Sequence, residues 1–365
     1  MTHTRRHRLT TSRPQPVELL EQRRLLSTVR AASHGGGCSC SVCSAIRSAA
    51  ADPAEKAIVE SLKLNRIFDR SVSLVDAFNP LTSLSSPSPD AVSYIKPNRF
   101  TPFAVDFTQL IATLDAAPLE FTPAASNPLR VVIPAPDGSL QRFDLVESPI
   151  MEPGLAEQFP DIRTFSGQGV DDPAATVRLD HTMHGFHAQV LSPDGSWYID
   201  PYWHLDTSVH ISYFKRDLPM RDDQLAWSCR PFDETTEVEP QVENEAPIAA
   251  ERSGTQLRTY RLANAATGEY TQYHGGTVAA GQAAIVTAIN RVNQIYERDL
   301  SIRLTLVANN SSLVYTNAAT DPYSNSNGSA MLSQNQATID GIIGNANYDI
   351  GHVFSTGGGG VAYIR

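Results

Sequence analysis

The chain has 365 residues, a formal net charge of −10 and a hydrophobic content of 41%, enough apolar matter for a real core and a soft expectation of two or three domains. The acidic balance argues against general affinity for nucleic acid or anionic membranes, because no positive field would draw phosphates in. No apolar run reaches the roughly 18 residues that a membrane span needs.

From Met1 to about residue 97 the chain is rich in Ser, Ala, Pro and Arg and reads mostly as linker. Helical spacing is confined to Glu55 through Phe78, carried by Ile58, Leu62, Leu64, Ile67 and Phe68. Arg5, Arg6, His7 and Arg8 make a basic start, but the apolar core of an ordinary secretory signal does not follow. From about Phe100 to Lys215 the texture changes to short alternating runs. Leu129 to Ile133 and Leu140 to Val146 flank Pro136-Asp137-Gly138, where proline presets the first turn dihedral and glycine accepts a positive φ. Ala174 to Leu179, Gly185 to Leu191 and Trp197 to Ile199 alternate in the same way, with Pro193-Asp194-Gly195 turning the second into the third, and Val209 to Phe214 adds a further strand. This predicts an α+β domain rich in antiparallel strands over 98–220. An acidic stretch with Pro231, Pro240 and Pro247 follows and reads as a solvated linker over 221–255.

Beyond it the period changes. Leu257 to Ala266 reads as a strand, and Thr277 opens a helix after Gly275-Gly276, with Val278, Ile285, Ile289, Val292 and Ile295 on one face. Leu300 to Val307 alternates, Thr338 to Ile343 gives a second helix and Asp349 to Phe354 a third strand. The strand-helix-strand-helix-strand rhythm over 256–365 predicts a parallel sheet with right-handed crossovers, an α/β unit. The chain then runs through Gly357 to Gly360 into Val361-Ala362-Tyr363-Ile364, the opening of another strand, so the domain is expected to be cut short at Arg365.

Few constellations carry chemistry on their own. The glycines at 357–360 follow the third strand, whereas a dinucleotide fingerprint sits between the first strand and a helix N-terminus, so phosphate binding is not expected. His181, His184 and His187 are spaced in threes, but alternation and Gly185 place them on strands and a turn, where they point to different faces. Asp171, Asp172 and Asp200 lie near turns and read as turn and cap residues. No G-x-S-x-G elbow exists. His34, Cys38, Cys40 and Cys43 offer enough ligands for a tetrahedral zinc, but they sit in a Gly/Ser/Ala-rich stretch with no flanking hairpin. A disulfide with a spare thiol, or a flexible segment, is the stronger alternative.

Two stretches carry family resemblances. Val17-Glu18-Leu19-Leu20-Glu21-Gln22-Arg23-Arg24-Leu25-Leu26-Ser27 resembles a segment found near the N-termini of many planctomycete extracellular proteins, which implies an extracellular or cell-surface location. Leu257 to Arg365, above all Ala266 to Thr271, Asn290 to Asp299 and Tyr348 to Tyr363, resembles the first part of the catalytic domain of bacterial reprolysin-like zinc metallopeptidases, which are metzincins of M12B type. Phe165 to Gly169 and His187 to Gly195 are similar to the pro-region upstream in such proteins. The family's chemistry rests on H-E-x-x-H-x-x-G-x-x-H, in which three histidines hold zinc and the glutamate serves the metal-bound water as base. That motif does not occur in these 365 residues, and the family places it downstream of the segment matched by Tyr348 to Tyr363, so no catalytic residue is carried over.

The resemblance implies a zymogen fragment that is inactive as given, with zinc as cofactor of the full-length protein and protein or peptide as substrate. The chain's own C-terminal half is a further partner. It also implies that the backbone of Gly360, Val361, Ala362 and Tyr363 forms an antiparallel edge strand on which substrate lies. Cys229 takes the place of a pro-region thiol that blocks the zinc until the linker is cut, although the family's usual following glycine is Arg230 here. A non-catalytic extracellular binding or protease-inhibiting module is the alternative.

Overall fold

The structure, a computed structural model, describes residues 77–219, 256–358 and 360–362. The helical stretch expected upstream of Ala77, the His34–Cys43 cluster, Cys229 and the acidic linker lie outside the described residues. Within them, strands gather into two sheets.

The first sheet has nine strands: β1 (Phe78–Pro80), β2 (Thr101–Val105), β3 (Leu129–Pro134), β4 (Leu140–Glu147), β5 (Arg163–Gly169), β6 (Thr176–Thr182), β7 (Gly185–Leu191), β8 (Trp197–Trp203) and β9 (Asp206–Phe214). Their order is β1-β2-β9-β8-β7-β6-β5-β4-β3, antiparallel at every pairing. The hairpins form at the expected turns, with Gly138 at φ 79° and Gly195 at φ 124°. The sheet curls until Thr101 on β2 donates its hydroxyl to the carbonyl of Pro136 in the β3–β4 turn, 2.9 Å away. Its nearly barrel-like interior is filled by Phe103, Leu145, Phe165, Leu179, Phe186 and Trp197, together with Leu110 and Leu114 of helix α1 (Phe107–Leu114). The sheet begins at Phe78, not near residue 98, because Ala77 and Phe78 are apolar anchors of this core.

The second sheet is parallel, ordered β11-β10-β12, from β10 (Arg258–Ala266), β11 (Ile302–Leu306) and β12 (Ile350–Phe354). Helices α3 (Gly268–Tyr273), α4 (Val278–Leu300) and α5 (Gly328–Ile342) make the crossovers. A short helix α2 (Pro153–Ala156) belongs to the chain between β4 and β5. Thr277 caps α4 as expected, its hydroxyl accepting from the Ala280 N–H. The expected second helix starts ten residues earlier, at Gly328, because Asn327 caps it by accepting from the Ala330 N–H. Ile285 and Ile289 are buried as expected, but Val278 and Ile295 are 36% and 41% exposed. Their places are taken by Ala283, Val286 and a set of buried polar residues discussed below.

Where β11 ends beside β10, a side chain takes over the ladder. Asn310 Oδ1 accepts from the Asn264 N–H at 2.7 Å, and its Nδ2 donates to the Asn264 carbonyl at 3.1 Å and to Gln282 Oε1 at 3.0 Å. Both backbone groups of a fully buried residue therefore depend on one amide. We predict that Asn310→Ala, which strands them, costs roughly 2–4 kcal/mol in urea unfolding, whereas Thr277→Ala, which removes a helix cap, costs about 1 kcal/mol. Equal effects would contradict this account of the strand end.

Candidate functional site

Two concave regions stand out. The first is a groove of about 840 Å³ beside the free edge of β12, bounded by the N-terminal part of α5 and by residues 355–362. Among the described strands β12 pairs only with β10, and Ile350, Gly351 and His352 at its start are exposed. Gly360, Val361 and Ala362 border this groove, but they make no ladder with any strand, and Tyr363 lies outside the described residues. The chain instead passes the start of α5, where Gly357 fits so closely that a Cβ would sit 2.5 Å from the Asn325 carbonyl, and Val361 lies against Gly328.

The second is a half-open cavity of about 290 Å³ where the nine-stranded sheet meets α3 and α4. Strand alternation builds it. On β6, Val177 and Leu179 point into the barrel core, so Thr176, Arg178 and Asp180 face outward. The outward face meets α4. Gln294 Nε2 donates to the Thr176 carbonyl at 2.9 Å, and Arg178 donates to Asn290 Oδ1 at 3.1 Å and to Glu297 Oε1 at 2.6 Å. Asp180 accepts from Thr287 Oγ1 at 2.7 Å and from Asn290 Nδ2 at 3.1 Å. On β8, Asp200 accepts from the Tyr213 hydroxyl at 2.7 Å and from Arg291 Nη2 at 2.6 Å.

Four histidines gather at the cavity: His184 in the β6–β7 turn, His187 on β7, His204 in the β8–β9 turn and His274 at the C-cap of α3. His184 Nε2 lies 2.8 Å from the Ala280 carbonyl, which can only accept, so that nitrogen carries the proton. The rings of His184 and His274 are 5.9 Å apart. Burial, followed by His184, His204 and His187, pushes His274 down to about 4. Burial also lowers His184. Burial opposes the charge on Asp180, but His187, Thr287 and Arg291 outweigh it and hold the carboxyl below its usual range. Arg291 is likewise raised by Asp200, Tyr213 and Asp180 against the pull of burial.

Asp200 is therefore no turn residue. It is fully buried in mid-strand and balances Arg291. His184 and His187 share the cavity, while His181 points the other way, toward the ring of Phe165. Asp172 does serve its turn, accepting from the Ala174 N–H, whereas Asp171 in the same β5–β6 connection accepts from the backbone and side chain of Arg142 on β4. Sequence reasoning did not find His204, His274 or Arg291, which are distant in the chain and follow no motif. Among the described residues no group of three or more His, Cys, Asp or Glu is placed to hold a metal ion. No helix among them is long and apolar enough to cross a membrane.

The parallel sheet β10–β12 with its crossovers coincides with a known family. Residues 256–365 match the metallo-peptidase family M12B, reprolysin-like. The match covers the whole second sheet and supports a reprolysin-like metallopeptidase, a family that depends on zinc and acts on protein or peptide. No curated protein matches the chain. The described residues of the matched segment do not fit a zinc centre, so no catalytic step is derived from them.

Asp200 holds the cavity's floor. Asp200→Ala would leave Arg291, whose side chain is 26% exposed, without its counter-charge and the buried Tyr213 hydroxyl without its acceptor, and we predict a loss of roughly 1–3 kcal/mol in denaturant unfolding. A loss under about 1 kcal/mol would mean that the pair behaves as a solvated surface bridge.

Proposed function

We propose that residues 256–365 form the first part of a secreted reprolysin-like zinc metalloendopeptidase domain, and that the nine-stranded sheet is its pro-region. The observation that carries this reading is the family match over 256–365, which takes in β10, β11, β12 and every helix between them. In this reading the zinc-binding segment lies downstream of Arg365, and the groove beside β12 is where the rest of the domain and the substrate would come. Gly360, Val361, Ala362 and Tyr363 then supply main-chain groups to a bound peptide once that segment orders them into a strand. The N-terminal segment from Val17 to Ser27 supports export to the cell surface or beyond.

The test is the coding sequence beyond the codon for Arg365. An open frame running into H-E-x-x-H-x-x-G-x-x-H is expected, and the extended protein should cleave casein in a manner abolished by chelation and restored by zinc. A stop codon with no such motif, or an extended product without zinc-dependent cleavage, would overturn the proposal.

The acidic linker and Cys229 then have a natural place in latency. In the extended precursor, Cys229→Ser is expected to raise peptidase activity before any cleavage of the linker, by tenfold or more if the thiol alone holds the site shut (about 1.4 kcal/mol per tenfold). Unchanged activity in the intact precursor would remove Cys229 from that role.

A further inference from the structure

The seam between the nine-stranded sheet and helices α3 and α4 is polar where most packed interfaces are apolar, and histidines cluster at one end of it. We infer that the His184–His187–His204–His274 cluster makes the docking of the nine-stranded sheet on α3 and α4 labile to acid, so that mild acidification loosens this seam before either sheet melts. The inference rests on the packing of the two sheets and goes beyond the peptidase reading, which it does not require.

The geometry supplies the reason. His184 reaches from the sheet to the Ala280 carbonyl in the first turns of α4, so it sits across the seam. His274 faces it from α3 at 5.9 Å between rings, and His204 packs against Tyr273 of α3 at 4.3 Å with the rings tilted by 34°. Three of the four rings come from the sheet and one from the helices, and positive charge on both His184 and His274 pushes the two sides apart. Buried nitrogens are also left over, since His204 Nε2, Arg291 Nε and His210 Nδ1 have no hydrogen-bond partner among the described residues. His187 Nδ1 lies 3.2 Å from Asp180 Oδ1, but off the line a hydrogen bond needs.

From the sheet, Asp180 and Asp200 face the cluster beside His187, while His210 stays neutral because burial, then His187, lowers it to about 3. From α4, Arg291 adds positive charge and is paired to Asp200. Tyr94, Tyr213 and Tyr270 are pushed upward by burial first and carry no charge in this range, and Tyr273 completes the set. The two carboxylates are already engaged by Arg291, Tyr213, Thr287 and Asn290, and burial outweighs the pull of Asp180 at His184.

The sign follows from linkage. His274 falls from its ordinary 6.5 to about 4 in the docked state, so the docked state binds fewer protons than the separated one between those values. Docking is therefore fully supported above about pH 6.5 and weakens as pH falls toward 4. Each such histidine lowers the docking constant by up to about tenfold per pH unit.

The experiment is hydrogen exchange by mass spectrometry on the full chain between pH 7.5 and 5, with intrinsic rates corrected for pH, alongside a histidine ring titration by NMR. Protection in α3, in the first half of α4 and in the β6–β7 hairpin should fall about tenfold or more, while β3, β4 and β5 keep theirs. In the double variant His184→Gln/His274→Gln, which retains a donor toward Ala280, protection at the seam should persist to lower pH. Uniform loss across both sheets, or a seam that keeps its protection while the rings of His184 and His274 take up protons, would overturn the inference. The ring titration of the native chain decides this even if the variant fails to fold.

Discussion

The structure depends on one helix being buried from two sides by two different kinds of chemistry. Toward its own sheet, α4 presents Ala283, Ile285, Val286 and Ile289, which pack against Leu262, Leu304 and Leu306. Each fully buried aliphatic side chain there contributes about 1.5–3 kcal/mol, so this face fixes α4 to β10 and β11. Toward the nine-stranded sheet it presents Thr287, Asn290, Arg291, Gln294 and Glu297, all bonded to groups on β6 and β8. Hydrogen bonds of this kind add only about 1 kcal/mol each in net terms. The first face therefore gives strength, and the second gives alignment, because these side chains reach their partners on β6 and β8 at one register.

The same logic governs the edges of the parallel sheet. The outer edge of β11 is not free: the Leu306 N–H donates to the Ile150 carbonyl at 2.8 Å and the Glu152 N–H to the Leu306 carbonyl at 2.9 Å. Ile150, Met151, Leu155 and Ile162 then close the apolar core from that side. Arg303 on β11 pairs with Glu297 and with Glu120, which ties the strand to the segment before β3. At the opposite edge β12 has no such cover among the described residues. An uncovered parallel edge attracts another strand or peptide, so the asymmetry directs any further pairing to the β12 side, where the groove lies.

Much of the strand pattern was legible, because alternation and turn residues act locally. The hairpins at Gly138 and Gly195, the cap at Thr277 and the parallel βαβαβ unit all follow from neighbours in sequence. The strands β1, β2 and β5 were not legible. Asn79-Pro80 and Pro102 argue against strand in isolation, and Ser166-Gly167-Gln168-Gly169 lacks a β-branched residue, yet each is held by pairing to a stronger neighbour. Gly167 is required there for a different reason: a Cβ would meet the Leu145 side chain and the Asp144 carbonyl. The candidate site was the least legible part. The outward residues of β6 and β8 read as a solvated face, and so does the Asn290-Arg291 stretch of α4. Two polar faces that bury each other leave no hydrophobic period in either sequence.

That composition also decides how the two parts come apart. Separating the sheet from α4 exposes Arg178, Asp180, Asp200, Arg291 and Glu297, and each regains water on exposure. Burial lowers the pKa of Arg178, with Glu297 opposing it, so its charge is held in place at an energetic cost in the docked state. Separating α4 from β10 and β11 would instead expose Ile285, Val286, Ile289, Leu304 and Leu306 to water, at roughly 25 cal/mol for each Å² of apolar surface. The weaker boundary therefore runs along the polar seam. When this seam opens, α4 stays with the parallel sheet, and the nine-stranded sheet stays tethered to it by the β4–β5 connection, whose Ile150, Met151, Leu155 and Ile162 remain packed beside β11. The polar seam therefore opens locally, as interfaces between domains of one chain do, while the apolar contacts around the β4–β5 connection keep the two sheets together.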